Sequence, residues 1–371
     1  MNIRRCCASF GFALALTGLA VTAYAQQKEI KIGVIYDYTG PLAAGGSLPG
    51  AMGTKAAIEM INERGGIEGY RIKPTYADAQ SKAEVAINEM TRLLDQEKVD
   101  LILGVFSSAH CVPMAQQADA KKKLMWATIC VASSVVKDKN LTHFFRVQVH
   151  SDQYGETSCK FLNELSKAKL GKDPKDLKVA IIYEDGPYGA GVAMGNEAKC
   201  KALGMQQVLK EGYAATSPDL SSLITKLRRA QADVILHTGY NPDITKEMLK
   251  RYMAEVKDRK IDEIPPHVSM GFNQSWILFT DVIPRAIKKY GGIDPEALRK
   301  AALDTDIPVG GTIQGYGVKF FAPGTPMAGQ NERSSPVVMQ YIGGDTKIVW
   351  PAAIKTADPV LPLPKGHTYA R

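Results

Sequence analysis

The chain has 371 residues, of which 45% are hydrophobic and 23% are charged, and its formal net charge is +8. This length predicts two domains. The basic residues are interleaved with acidic ones, as in KDPKDLK, and form no continuous patch with aromatic residues, which argues against a nucleic-acid partner.

Residues 1–25 have the pattern of a secretory signal peptide. Arg4 and Arg5 precede an apolar run at 10–21, and the small-x-small sequence at 23–25 predicts a cleavage site. The apolar run is too short to span a membrane. The two cysteines of this segment precede the apolar run, whereas a lipoprotein cysteine follows it. We therefore expect an exported, periplasmic protein without a lipid anchor.

Four cysteines remain after the predicted cleavage, and an exported chain can pair them in three ways. We favour Cys111–Cys130, which lie just past neighbouring strand ends, and Cys159–Cys200, which lie on two helices expected to flank one sheet. No C-x-x-C motif occurs and the histidines are scattered, so the sequence predicts no metal site and no cofactor.

The first half of the mature chain alternates strands with helices, which indicates an α/β lobe. In its central unit, at 99–133, a helix follows an apolar strand that ends at Ser107-Ser108. Ligands of parallel sheets bind beyond the carboxyl ends of the strands, so this serine pair is a candidate anion site. Simple helix capping is the alternative. We predict strands at 29–36, 70–77, 99–106, 124–130 and 144–149, and helices at 50–63, 82–97 and 111–122.

The second half repeats the same alternation up to Gly271, so we predict two doubly wound α/β lobes. Beyond that residue the sequence indicates helices, a hairpin and a proline-rich end. We predict strands at 176–183, 205–213, 232–237 and 267–271, helices at 152–167, 189–203, 220–231, 242–256, 273–290 and 294–303, strand-like segments at 310–321, and a hairpin of 337–342 with 347–350.

Several motifs follow one another along the mature chain: IKIGVIYDYTGPLAAGGSLPG, LILGVFSSAHCVPMAQQA, FFRVQ, VAIIYEDGPYGAG, ADVILHTGYNPD, VVMQYIGG and IVWP. In their order and spacing they resemble the periplasmic leucine/isoleucine/valine-type binding proteins of ABC importers. The resemblance covers nearly all of the mature chain. It implies a type I periplasmic binding protein, in which two lobes joined by crossover strands close on a small ligand.

The resemblance also implies roles for individual residues. Serine hydroxyls after the third strand, and backbone groups after the next one, would hold a carboxylate. Tyrosines of the second lobe would close over the ligand, and an acidic residue would lie near its ammonium group. The residues at these positions are Ser107, Ser108, Ile129, Val131, Asp152, Tyr188 and Tyr240.

The chain departs from the family pattern after the strand predicted at 267–271, where about one helix, one strand and one crossover are missing. We therefore expect a shortened second lobe. The Gly-rich loop at Ala44-Gly45-Gly46 has no bulky residue, which leaves more room for a ligand. We divide the chain into a signal peptide (1–25), the first part of lobe 1 (26–147), lobe 2 (148–271), a return to lobe 1 and the hinge (272–350), and a tail (351–371).

The sequence thus predicts a substrate-binding protein that captures a small carboxylate, such as a branched-chain amino acid, and delivers it to a membrane permease. Aromatic or other carboxylates, and a sensory role at a receptor, are the alternatives. We expect a monomer. No nucleophile elbow or P-loop occurs, and His110, near Ser107 and Cys111, is interpreted as a pocket residue rather than as part of an enzyme.

Overall fold

The computed structural model describes residues 28–217, 219–240, 266–343 and 345–362. Its first lobe is built on a parallel five-stranded sheet with the order β2-β1-β3-β4-β5. The strands are β1 (Lys28–Tyr36), β2 (Tyr70–Asp78), β3 (Leu101–Gly104), β4 (Leu124–Ala127) and β5 (Phe144–Arg146). No described helix is long and apolar enough to cross a membrane.

Both faces of this sheet are covered by helices, because its strands are apolar on both sides. One face packs on α2 (Ala83–Asp95) and α3 (Ser108–Ala120). The other packs on α1 (Leu48–Glu63) and on helices from the last third of the chain. These are α7 (Pro266–Ile277), α8 (Ile283–Tyr290) and α9 (Pro295–Leu303).

The second lobe has a parallel sheet with the order β7-β6-β8 in the described residues. The predicted alternation of strands and helices in two α/β lobes is therefore confirmed. The elements are α4 (Ser151–Leu170), β6 (Lys178–Glu184), α5 (Pro187–Ala202), β7 (Gln206–Tyr213), α6 (Ser221–Ala230) and β8 (Val234–Thr238). The helix predicted at 242–256 lies outside the described residues.

Two chain segments cross between the lobes side by side. Arg146, at the end of β5, pairs with Gln330 through an isolated parallel bridge. The Gln330 side chain donates a hydrogen bond to the Gln148 carbonyl at 2.7 Å, and the Asn331 side chain donates one to the Val147 carbonyl at 3.0 Å. The crossovers are thus tied to each other at the junction of the two lobes.

The strand predicted at 267–271 is wrong, because these residues form the first turns of α7. That helix packs against α1 in the first lobe, although the sequence had assigned 148–271 to the second. A Cβ atom added at Gly53 of α1 would lie 2.0 Å from the Val268 carbonyl oxygen, and one at Gly271 would lie 2.0 Å from the Gly50 carbonyl oxygen. Glycines let the two helix backbones approach this closely.

The hairpin near the carboxyl end lies on a different lobe from the one predicted. Its strands, β11 (Val338–Ile342) and β12 (Asp345–Trp350), pair as predicted, but they pack on the second lobe and not on the first. Val349 is buried there, and the Trp350 indole donates a hydrogen bond to Glu164 at 2.7 Å. The strand-like segments predicted at 310–321 reduce to β10 (Val318–Lys319), which pairs with β9 (Asp306–Ile307).

The four cysteines of the described residues form two disulfides. One joins Cys111 on α3 to Cys130 beyond β4, and the other joins Cys159 on α4 to Cys200 on α5. This is the pairing that the sequence favours. The first bond links the start of a helix to the neighbouring strand end, and the second links two helices of the second lobe.

The crossing of α1 and α7 generates a test of stability. Gly53→Ala adds a methyl group against the α7 backbone, which is unable to yield as a flexible side chain can. We expect the free energy of unfolding to fall by about 1–3 kcal/mol. Gly292→Ala is the matched control, because its Cβ would meet nothing closer than 3.8 Å. Denaturant unfolding of the two variants measures the difference, and equal stabilities would contradict the close contact.

Candidate functional site

The carboxyl ends of both parallel sheets face one cleft between the lobes. In the first sheet β1 lies between β2 and β3, and in the second β6 lies between β7 and β8. Loops diverge at such points in doubly wound sheets, and ligands bind there. The residues that follow these strands therefore form the candidate site.

A first cavity of about 240 Å³ lies in this cleft. Rings dominate its wall, with the Ser108 hydroxyl and two glycines among them, so it suits a small ligand with an apolar or flat body. The lining residues are Gly45, Phe106, Ser108, Ile129, Val131, Tyr154, Tyr188, Gly239, Tyr240, His267 and Met270.

A row of aromatic rings crosses the cleft. His267 of α7 contacts Phe106 with ring centroids 5.5 Å apart, and Phe106 contacts Tyr240 at 5.8 Å. Tyr240 in turn contacts Tyr188 at 5.3 Å. The first two rings belong to the first lobe and the last two to the second. The lobes are therefore in contact through side chains of the cavity wall.

The hydroxyls of Tyr154 and Tyr240 in this wall are neutral. Burial strongly raises the pKa of Tyr240, and a hydrogen bond with the Ser107 side chain partly opposes the shift. Burial likewise raises the pKa of Tyr154. Burial also lowers the pKa of His267, so its imidazole is neutral near pH 7. The wall thus offers uncharged groups that can donate hydrogen bonds to a ligand.

The amino terminus of α3 supplies the polar part of the cavity. Its first intrahelical bond runs from the Cys111 N–H to the Ser107 carbonyl at 3.0 Å, so the N–H groups of Ser108, Ala109 and His110 precede it. The Ser108 hydroxyl oxygen accepts hydrogen bonds from the N–H groups of Val131 and Ala132 at 3.2 and 3.1 Å. Its own proton can then be donated to an anion.

The structure places five of the seven predicted site residues around the first cavity: Ser108, Ile129, Val131, Tyr188 and Tyr240. The backbone groups of Val131 already have hydrogen-bond partners within the protein. Its N–H is bonded to Ser108, and its carbonyl accepts a hydrogen bond from Ser151 at 2.8 Å. Its contribution to the wall is therefore apolar.

Ser107 and Asp152 lie elsewhere. Ser107 lines a second cavity beside the first. Asp152 accepts a hydrogen bond from the Ser133 hydroxyl at 2.8 Å and pairs with Lys137 at 3.3 Å. It is not among the residues that line either cavity, because α4 begins one residue before it and turns its side chain towards Ser133.

Apart from the two glycines, the sequence analysis did not name four lining residues as site residues: Phe106, Tyr154, His267 and Met270. Phe106 directly precedes the serine pair at the end of a predicted strand, and this position could have identified it as a site residue. Tyr154 lies on the first turn of the helix that opens the second lobe, which faces the cleft. His267 and Met270 were hidden by the incorrect strand assignment.

A buried acid and base lie behind the site. Asp37 follows β1, His110 lies on the first turn of α3, and Asp37 Oδ1 is 3.4 Å from His110 Nδ1. Burial raises the pKa of Asp37 from 3.8 to about 6 and lowers that of His110 from 6.5 to about 4. Among the described residues no cluster of histidine, cysteine, aspartate and glutamate could hold a metal ion.

Comparison with known proteins identifies the family. A family model described as "Periplasmic binding protein" matches residues 29–252. The chain is 30% identical to "Leu/Ile/Val-binding protein homolog 7" of Brucella suis, with 94% of this chain and 98% of the relative covered. The chain belongs to the periplasmic binding protein family. Members of this family are substrate-binding proteins, and the resemblance inferred from the motifs is confirmed.

Solved periplasmic binding proteins share the fold. A leucine-binding protein from Thermotoga maritima superimposes with a TM-score of 0.69 at 19% identity, over 86% of this chain and 97% of that one. A solute-binding protein of R. palustris, solved in complex with 4-hydroxybenzoate, gives 0.66 at 17% identity over 86% and 95%. A branched-chain amino acid binding protein of Thermus thermophilus with bound valine gives 0.68 at 14% identity over 90% and 97%.

The Asp37–His110 pair predicts how stability depends on pH. Between pH 4 and 6 the folded state keeps the proton on Asp37, whereas the unfolded chain keeps it on His110. The folded and unfolded states therefore bind equal numbers of protons in this range. Because of this, the pair changes the free energy of unfolding little as the pH varies. In His110→Gln only Asp37 remains, and its contribution to stability falls by about 2 kcal/mol as the pH rises from 4 to 6.

Asp37→Asn gives the opposite sign. Only His110 remains, and its contribution to stability is complete above pH 6.5 and is lost as the pH falls towards 4. Denaturant unfolding of both variants and of the unsubstituted protein, from pH 4 to 7, measures the two slopes. Slopes of the same sign in the two variants would contradict this assignment of the proton.

Proposed function

We propose that this chain is the substrate-binding protein of an ABC importer. It captures a small carboxylate with an apolar body in the first cavity and delivers it to a membrane permease. We further propose that residues 1–25 direct its export to the periplasm, and that it acts as a monomer without nucleic acid. Its role is binding and not catalysis.

The position of the first cavity carries this proposal. The cavity lies between two lobes, its wall is mostly aromatic and aliphatic, and its polar end is the start of α3 with the Ser108 hydroxyl. A helix amino terminus and a hydroxyl donor stabilise an anion, while rings cover an apolar body. Closure of the lobes through Phe106 and Tyr240 then excludes water from the bound ligand.

The ligands of the similar proteins fit the same description. Valine and 4-hydroxybenzoate, found in the two solved neighbours, both combine a carboxylate with an apolar body. The Brucella relatives are named for leucine, isoleucine and valine. A branched-chain amino acid is therefore one candidate ligand.

An aromatic carboxylate is the second candidate, and the wall of the first cavity favours it. Phe106, Tyr154, Tyr188, Tyr240 and His267 all contribute rings to a space of about 240 Å³. Rings pack against a flat ligand in stacked or edge-on arrangements that aliphatic side chains do not provide.

A thermal-shift screen of the mature protein tests the function and separates the two candidates. The compounds are leucine, isoleucine, valine, benzoate, 4-hydroxybenzoate and short dicarboxylates. A ligand that binds only the folded state raises the melting temperature, so we expect a rise with one of the first two classes. A cooperative melt that none of these compounds shifts would contradict the proposal.

Ser108→Ala tests the polar end of the site. The substitution removes the donor to the carboxylate and leaves the Val131 and Ala132 N–H groups without their acceptor. We expect the dissociation constant, measured by calorimetry, to rise about tenfold or more. Thr280→Ala, which removes an exposed hydroxyl between α7 and α8, is the control. Equal affinities in the two variants would contradict the binding of the carboxylate at the start of α3.

A further inference from the structure

A second cavity of about 260 Å³ adjoins the first and is also bounded by both lobes. Tyr240 lines both cavities. The two walls differ in chemistry, since the second has fewer rings and a mostly aliphatic surface, into which a few polar side chains are set. Its lining includes Leu42, Ser81 and His110 from the first lobe, and Glu184, Ala215 and Thr216 from the second.

The start of α3 lies at the junction of the two cavities. Ser108 lines the first cavity, whereas Ser107, Ala109 and His110 line the second. A carboxylate held by the first N–H groups of α3 therefore has one cavity on each side. Substituents attached to its α-carbon can enter both.

His110 provides a buried polar group at the wall of the second cavity. Only 2% of its side chain is exposed, and no described residue forms a hydrogen bond with Nδ1. Nδ1 lies 3.4 Å from Asp37 Oδ1, a contact that favours the proton on that nitrogen. The neutral ring then presents Nε2 as a hydrogen-bond acceptor.

Glu184 adds acceptors on the opposite side of the second cavity. Its carboxylate accepts hydrogen bonds from the N–H groups of Gly186 at 2.7 Å and Gly189 at 2.5 Å, at the start of α5. These bonds hold the carboxylate at the wall of the second cavity, where its oxygens can act only as acceptors. The second cavity thus suits a group that donates hydrogen bonds.

We propose that the second cavity is a subsite for a hydrogen-bond-donating arm of the ligand. The ligand is a carboxylate with two arms on its α-carbon: an apolar arm in the first cavity, and a polar arm of several atoms that reaches His110. A dipeptide, with its C-terminal carboxylate at α3, is the simplest member of this class. The proposal rests on the proposed function, because it uses the same carboxylate position.

Calorimetry with three matched acids tests the subsite. The set is 4-methylpentanoate, leucine and glycyl-leucine, or 3-phenylpropanoate, phenylalanine and glycyl-phenylalanine, depending on which side chain gives the larger thermal shift. We expect the dipeptide to bind at least tenfold more tightly than the acid with one arm. His110→Leu lowers the ratio of these two affinities about tenfold, because the donor of the polar arm loses its acceptor.

A second variant fills the cavity without touching His110. Ala215→Leu puts a larger side chain into the second cavity and lowers the same ratio tenfold or more. Ala214→Leu is the matched control, because Ala214 is exposed and is not among the residues that line the cavity. We expect that control to keep the ratio of the unsubstituted protein.

The possible outcomes separate the two proposals. In one outcome the acid with one arm or the free amino acid binds, and the dipeptide binds no more tightly. That result overturns the subsite and leaves the proposed function standing. The same holds if Ala215→Leu and Ala214→Leu give equal ratios. If none of the three acids binds a cooperatively folded protein, the subsite proposal fails. The proposed function fails as well only if no compound of the thermal-shift screen binds.

Discussion

The contact between the rings of Phe106 and Tyr240, 5.8 Å apart, is the interaction on which the site depends. Phe106 follows β3 of the first lobe, and Tyr240 follows β8 of the second. Because each ring lies at the carboxyl end of a parallel strand, the contact joins the two sheets at the edge where their loops diverge. It closes the first cavity on one side and bounds the second cavity on the other.

The electrostatics of the cleft follow from helix termini and burial. The start of α3 gives the cleft a region of positive potential, and the Ser108 hydroxyl fixes the neighbouring strand end against that helix. Behind it, Asp37 and His110 are buried together, and burial moves their pKa values in opposite directions. Between pH 4 and 6 the folded protein therefore carries a proton on Asp37, whereas the unfolded chain carries it on His110.

Local patterns in the sequence predicted the lobes well. The apolar runs that became β1, β3, β4 and β6 are short and bounded by glycine or small polar residues, and such runs fit buried parallel strands. The motifs identified the family from end to end, and most of the residues they implicated line the first cavity. Asp152 failed this expectation because its side chain pairs with Ser133 and Lys137, and a family position does not encode that local pairing.

The errors arose where a segment's partners are distant in sequence. Residues 267–271 are apolar enough for a short strand, but Gly271 lets them pack as a helix against Gly50 and Gly53, more than two hundred positions earlier. The hairpin at 338–350 was predicted correctly as a hairpin and placed on the wrong lobe. Its register is a local property, whereas the surface that buries Val349 and Trp350 is not.

The sequence by itself determined the alternation of strands and helices, the family, and the strand ends that border the first cavity, because periodicity and turn residues act over a few positions. Only the tertiary structure decided which side chains meet across the cleft. It placed His267 and Met270 in the wall of the first cavity and His110 beside Asp37. It also placed Ser107 and Ser108 in the walls of different cavities. These contacts depend on how two lobes and a distant helix pack, and no local pattern records that packing.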